Sequence, residues 1–184
     1  MTKVMILATN GFEQSELFKP KANLEEAGIE TEVVSLEAGD IKAWDEDDWG
    51  KTIKVDKTLD SVSNCDGYDA LLLPGGQINP DLLRVNERAV AIVKEFNMAG
   101  KPIAAICHAP WLLIEAGIVQ GKTATCYKSI RTDLKNAGAN VVDQEVAKDG
   151  NIITSRNPDD IPAFSKALIE ALGQTAKKDA META

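Results

Sequence analysis

Histidine is almost missing from this 184-residue chain, which carries one, His108. Any chemistry that needs an imidazole must use that residue, and a structural zinc site, which draws on several His and Cys side chains, is disfavoured. Cysteine is scarce as well. Cys65, Cys107 and Cys126 stand far apart with no C-x-x-C spacing, which suits free thiols in a reducing cytoplasm better than a disulfide framework. No apolar run approaches the ~20 residues that cross a bilayer, so no membrane association is expected. The N-terminus enters a strand-like run directly and offers no credible cleavage site. Positive charge is in deficit, with 20 Lys and Arg against 29 Asp and Glu and a net charge of −9. That balance opposes nucleic-acid backbones and anionic membranes as partners. Repeats and linkers are absent too. One domain over residues 1–172 is expected, followed by a polar, small-residue tail, 173–184, expected to be flexible.

What the chain does have is alternation. Short apolar runs over 4–8, 32–36, 69–73 and 103–106 suit strands buried on both faces. Helical spacing between them predicts helices over 13–27, 80–84, 87–98, 109–116, 129–137 and 159–172. Gly28, Gly100 and Gly117 are placed as stops, and Pro20 is expected to kink or restart the first helix. Further short strands are predicted at 123–126, 141–142 and 152–154, with a hairpin turn at Asp149-Gly150. This rhythm predicts an α/β fold, a doubly wound and mostly parallel sheet sandwiched by helices in a flavodoxin-like arrangement. The stretch 37–59 breaks it. Gly39-Asp40 and Trp49-Gly50 read as turns, 52–55 as an antiparallel strand, and 43–49 is acidic with two Trp residues. That segment is either a partner contact or a solvated hairpin tip with its rings folded back.

In such a fold the ligand crevice lies beyond the carboxyl ends of the strands. Cys107 and His108 fall on the turn between strand 103–106 and the next helix, the geometry of a nucleophile elbow carrying Cys. The helix N-terminus there is expected to lower the thiol pKa. A small buried hydrophobe is the bland alternative for Cys107. Successive side chains on an elbow diverge, so His108 is not expected to reach the sulfur well, and its orienting acid must come from elsewhere. Asp81, just past Pro74-Gly75-Gly76, is a candidate orienter. Gly75 and Gly76 let backbone N–H groups approach an anion. Glu13 and Glu16 lie three apart at the start of the first helix, and one of them can point at Cys107. A carboxyl so close to a thiolate would be pushed towards protonation and would donate to the anion. Spacing does not choose between the two.

With these pieces assembled, the chain resembles the PfpI family of the class I glutamine-amidotransferase-like superfamily. The resemblance rests on 8–16, 69–76, 100–110 and 154–159 and spans residues 2 to about 172. It implies that Cys107 is the nucleophile, Glu16 the glutamate that hydrogen-bonds it, His108 the adjacent histidine, and Gly75 and Gly76 the oxyanion donors. Tyr127 matches a pocket tyrosine. Asp81 matches an acid that reaches His108 from a neighbouring subunit, so a dimer or hexamer is implied. The function implied is a cytoplasmic, stress-protective cysteine hydrolase of the deglycase or glyoxalase type. Its partners would be small carbonyl substrates, glyoxal or methylglyoxal, or their early protein and nucleotide adducts. Thiolate chemistry on a carbonyl needs neither cofactor nor metal. An intracellular peptidase using Cys107, His108 and Asp81 is one alternative. A redox sensor or chaperone with an oxidisable Cys107 is another.

Overall fold

A computed structural model of the chain describes residues 1–182, with side chains for residues 1–173. In chain order the strands are β1 (Lys3–Leu7), β2 (Phe12–Glu13), β3 (Glu30–Ser35), β4 (Asp40–Asp45), β5 (Asp48–Lys54) and β6 (Lys57–Thr58). Then come β7 (Ala70–Leu73), β8 (Ile103–Ile106), β9 (Thr123–Ala124), β10 (Asn140–Val141), β11 (Ala147–Asp149) and β12 (Ile152–Ser155). The helices are α1 (Gln14–Glu26), α2 (Ile78–Arg84), α3 (Glu87–Met98), α4 (Pro110–Glu115), α5 (Arg131–Asn136) and α6 (Ile161–Glu182).

Seven strands form one sheet in the order β11-β12-β8-β7-β1-β3-β6, parallel throughout except for the edge hairpin β11–β12. Its central strands β7 and β8 are apolar at every position because both faces are covered, and alternate residues serve opposite layers. Met5, Leu7, Leu71, Leu73, Ile103 and Ala105 pack against Ile92, Val93 and Phe96 of α3, with Leu112 and Leu113 of α4. Val4, Ile6, Leu72, Ala104 and Ile106 face Leu17 and Leu24 of α1, with Phe164 and Leu168 of α6. Phe12, Phe96 and Phe164 are fully buried, each worth about 1.5–3 kcal/mol of transfer free energy. The fold class is the doubly wound one expected from the alternation.

Several local expectations change. Pro20 does not restart α1, which runs through it; its ring is buried, so packing offsets the lost helical bond. Strand 123–126 shrinks to β9, which pairs with β10 outside the main sheet, so Cys126 follows the strand as a fully buried free thiol. The expected turn at Trp49-Gly50 lies inside β5; the chain reverses at Glu46, whose φ is 56°. Gly50 is small for another reason. A Cβ there would collide with Gln14 Oε1 and sit 2.8 Å from Asp45 Cβ, where Gln14 clamps the hairpin by donating to Asp45 and accepting from the Lys51 N–H. The Trp rings pack on each other edge to face, 5.5 Å apart, and the Trp44 indole N–H donates to Glu46 O. The last helix extends to Glu182, past the 172 expected. The flexibility expected of 173–184 concerns residues 183–184 and side chains beyond 173, which lie outside those described.

Candidate active site

β8 ends at Ile106, α4 begins at Pro110, and the backbone between them turns sharply. Cys107 carries the turn at φ 65°, a left-handed conformation that costs about 1–3 kcal/mol in a non-glycine residue. Two long-range bonds hold it there. Its N–H donates to Ser155 O at 3.0 Å, and its carbonyl accepts from the Tyr127 N–H at 2.8 Å. Ser155 is fixed because β12 is registered against β8, with Ser155 opposite Ile106. The result is a buried thiol, 6% exposed, aimed into the crevice. Backbone N–H groups of Gly76 and His108 face the sulfur.

The structure separates the two candidate glutamates. Glu13 caps α1, its Oε1 accepting from the Ser15 N–H and hydroxyl at 3.2 and 2.8 Å. Glu16, one turn later and fully buried, takes the Gly75 N–H on Oε2 at 3.0 Å and lies against the Cys107 thiol. Its Oε1 is buried with no well-formed hydrogen bond. Burial, then the nearby Glu13 charge, lifts its pKa to about 8. Glu16 therefore holds a proton at neutral pH, in a position to give it to the sulfur or to a bound substrate.

Two expectations about the anion side are corrected. Burial pushes the Cys107 thiol up, and the Glu16 charge pushes it further, against the lowering expected from the helix N-terminus. A six-residue α4 and two N–H groups do not outweigh removal from water. Gly75 does not stand free as an oxyanion donor, because its N–H is taken by Glu16. The donors that face the sulfur are the N–H groups of Gly76 and His108. Gly75 is needed for room, since a Cβ there would overlap Glu16 Oε2 and approach Cys107 Cβ at 2.6 Å.

His108 was not expected to reach the sulfur, yet its Nδ1 lies 3.1 Å from Cys107 Sγ. The positive φ of Cys107 swings the two side chains to the same side. The other ring nitrogen, Nε2, lies 3.2 Å from Ser129 Oγ. Tyr127 stacks on the imidazole at 4.7 Å and Trp111 meets it edge-on at 5.2 Å. Burial lowers the His108 pKa and keeps the ring neutral. Asp81 is exposed on α2 and makes no contact with His108 within the chain.

Sequence reasoning missed Ser129 and Asn79. Asn79 is fully buried; its amide donates to Pro74 O and Gly75 O at 2.9 and 3.2 Å, and its Oδ1 accepts the Thr9 N–H at 2.8 Å. It thus ties the loop after β1 to the Pro74-Gly75-Gly76 turn. The available signal was an amide beside Pro80 in a crevice loop, and for Ser129 a hydroxyl two residues after Tyr127. Among the described residues no group of three His, Cys, Asp or Glu side chains is arranged to hold a metal ion, and no helix is long and apolar enough to cross a membrane.

Comparison with known proteins agrees with this architecture. The chain is 44% identical over 170 residues to Deglycase TK1284 of Thermococcus kodakarensis, covering 92% of this chain and 99% of that one. It is 41% identical over 172 residues to Protein/nucleic acid deglycase 2 of Escherichia coli, covering 93% and 98%. The crystal structure of Drosophila melanogaster DJ-1beta superposes with a TM-score of 0.83 at 30% identity over 96% of each chain. A family model described as DJ-1/PfpI matches residues 2–171. With that match running through the elbow, the crevice loops and both helical layers, the chain belongs to the DJ-1/PfpI family.

Proposed function

We propose that this protein is a cysteine hydrolase of the deglycase or glyoxalase type, acting on methylglyoxal, glyoxal or their early adducts. The observation that carries the reading is the 3.1 Å approach of His108 Nδ1 to a buried Cys107 Sγ that also lies against a protonated Glu16. Names of similar proteins, Deglycase TK1284 among them, support it. Thiol and neutral imidazole coexist in the free protein, so nucleophile and base are charged only when a substrate carbon accepts the sulfur. As the Sγ–C bond forms, the thiol proton passes to His108, and negative charge developing on the substrate oxygen meets the Gly76 and His108 N–H groups. On a hemiaminal, the C–N bond breaks and the amine leaves with a proton from Glu16. The resulting hemithioacetal isomerises through an enediol to a thioester, which water hydrolyses to the 2-hydroxy acid. No external oxidant, cofactor or metal enters the balance.

The peptidase alternative needs an acid on His108, and among the described residues no carboxylate bonds that ring. Ser129 holds the position instead. Asp81 from a second copy would approach the same face in a homo-oligomer, dimer or hexamer. The redox alternative is disfavoured by a thiol that burial holds protonated. Free thiols at all three cysteines fit a reducing cytoplasm and a protective role under carbonyl stress.

Cys107→Ala tests the reading. Methylglyoxal consumption should fall by about 10³-fold or more, the loss typical when a covalent nucleophile is removed. Undiminished turnover would overturn the assignment.

A further inference from the structure

We propose that the cleft beside Tyr127 is an anion subsite, so that the preferred substrates carry a carboxylate or phosphate on the group that bears the reacting carbon. The inference rests on the hydrolase reading above and adds a substrate class to it. The cleft, about 480 Å³, is lined by Tyr127, Lys128, Arg131 and Arg156, with Asp143 and Asp159. Its lining holds three cations and two carboxylates, and Asp160 pairs with Arg156 as a third acid, so Lys128 and the Arg131 Nε are the donors left over.

Its position ties it to the nucleophile. The two backbone groups bonded to Cys107 belong to Tyr127 and Ser155. Lys128 and Arg156 are the next residues in each case, so the cationic walls begin one residue beyond the elbow's hydrogen-bond partners. Tyr127 also stacks on His108 at 4.7 Å, joining the cleft to the catalytic imidazole.

The guanidinium pair is already set for a carboxylate. Asp160 is buried and fixes Arg156 through both Oδ atoms, to Nε and Nη2, each at 2.9 Å. Asp143 Oδ1 then bridges Arg131 at 2.9 Å and Arg156 at 3.0 Å. That internal carboxylate is 58% exposed and so can swing out into water when a ligand anion arrives. Arg131 Nε is buried without a partner, and Lys128 makes no ion pair among the described residues. Donors therefore exceed the acceptors the free protein supplies, as recognition of a planar anion requires.

Substrate pairs differing in charge alone read this out. Methylglyoxal hemithioacetals of N-acetylcysteine and of its amide test a carboxylate; adducts of guanosine and guanosine monophosphate test a phosphate. At low salt kcat/KM should favour the anionic member by about fivefold, mainly through KM, the factor expected for one partly screened ion pair. Lys128→Glu and, separately, Arg131→Gln should erase the preference while leaving turnover of the neutral amide unchanged. A preference in one pair alone supports the subsite and names its anion. Equal kcat/KM within both pairs, or a preference that survives both substitutions, overturns it. If no adduct is turned over, the hydrolase reading fails on its own account. Calorimetric titration of Cys107→Ala with guanosine monophosphate and with guanosine still decides the subsite, and equal affinities reject it.

Discussion

Glu16 shows how much a single buried group can govern. Its pKa rises from the ordinary 4.5 to about 8, burial being the first cause. The folded state therefore binds a proton that the unfolded chain has released between those values. Stability falls as pH rises through that window, because the unfolded state there binds fewer protons than the native one. The full shift corresponds to something on the order of 5 kcal/mol by pH 9. Glu16→Gln should keep the buried shape and remove that loss, so its urea midpoint should hold between pH 5 and 8.5 where the parent's declines. Titration of His108 runs the other way but is common to both proteins, so the difference between them isolates Glu16. Parallel pH curves would show that Glu16 is not the buried acid. The same substitution removes the proton donor, and methylglyoxal turnover should drop by about 10²-fold.

At the scale of elements, the hairpin β4–β5 is held to the start of α1 by the pairing of β4 with β2 and by the Gln14 side chain. Gln14 spans the gap only because Gly50 leaves room for it. Gly50→Ala should force β5 away from Gln14 and cost about 1–3 kcal/mol, the range for overpacking a close contact. Equilibrium urea unfolding measures this, and an unchanged midpoint would mean the hairpin gives way without loss. Glu13 ends β2 and caps α1, so the hairpin adjoins the helix that carries Glu16.

For the whole molecule, the exposed face of α2 bears on how many copies make one working unit. Ile78, Leu82 and Val85 are 37%, 44% and 79% exposed, and they recur at helical spacing along α2 and its C-cap with Asp81 among them. An apolar stripe of this kind suits a subunit contact better than solvent. Leu82→Lys should shift sedimentation towards a smaller species, at little cost to the monomer's fold. If the protein sediments as a monomer without the substitution, the trans role of Asp81 fails and Ser129 remains the partner of His108.

Local chemistry was enough to mark the elbow. A short apolar run, then Cys107-His108, then Pro110 and a helix ended by Gly117 specify strand, turn and helix from neighbours in the chain alone. The buried strands were legible for the same reason, because residues apolar at every position admit only a sheet covered on both faces. What packing decides was not legible. Glu16 rather than Glu13 faces Cys107 because α1 lies against the sheet in one rotation. Pro20 is tolerated because its ring is buried, and Ser129 meets His108 across 21 residues. Even the thiol's acidity reverses sign between the two levels. The helix start beside Cys107 is written in the sequence, whereas the loss of water around it and the nearness of Glu16 exist only once distant segments close over the site. Solvation belongs to the assembled crevice, and no stretch of chain carries it alone.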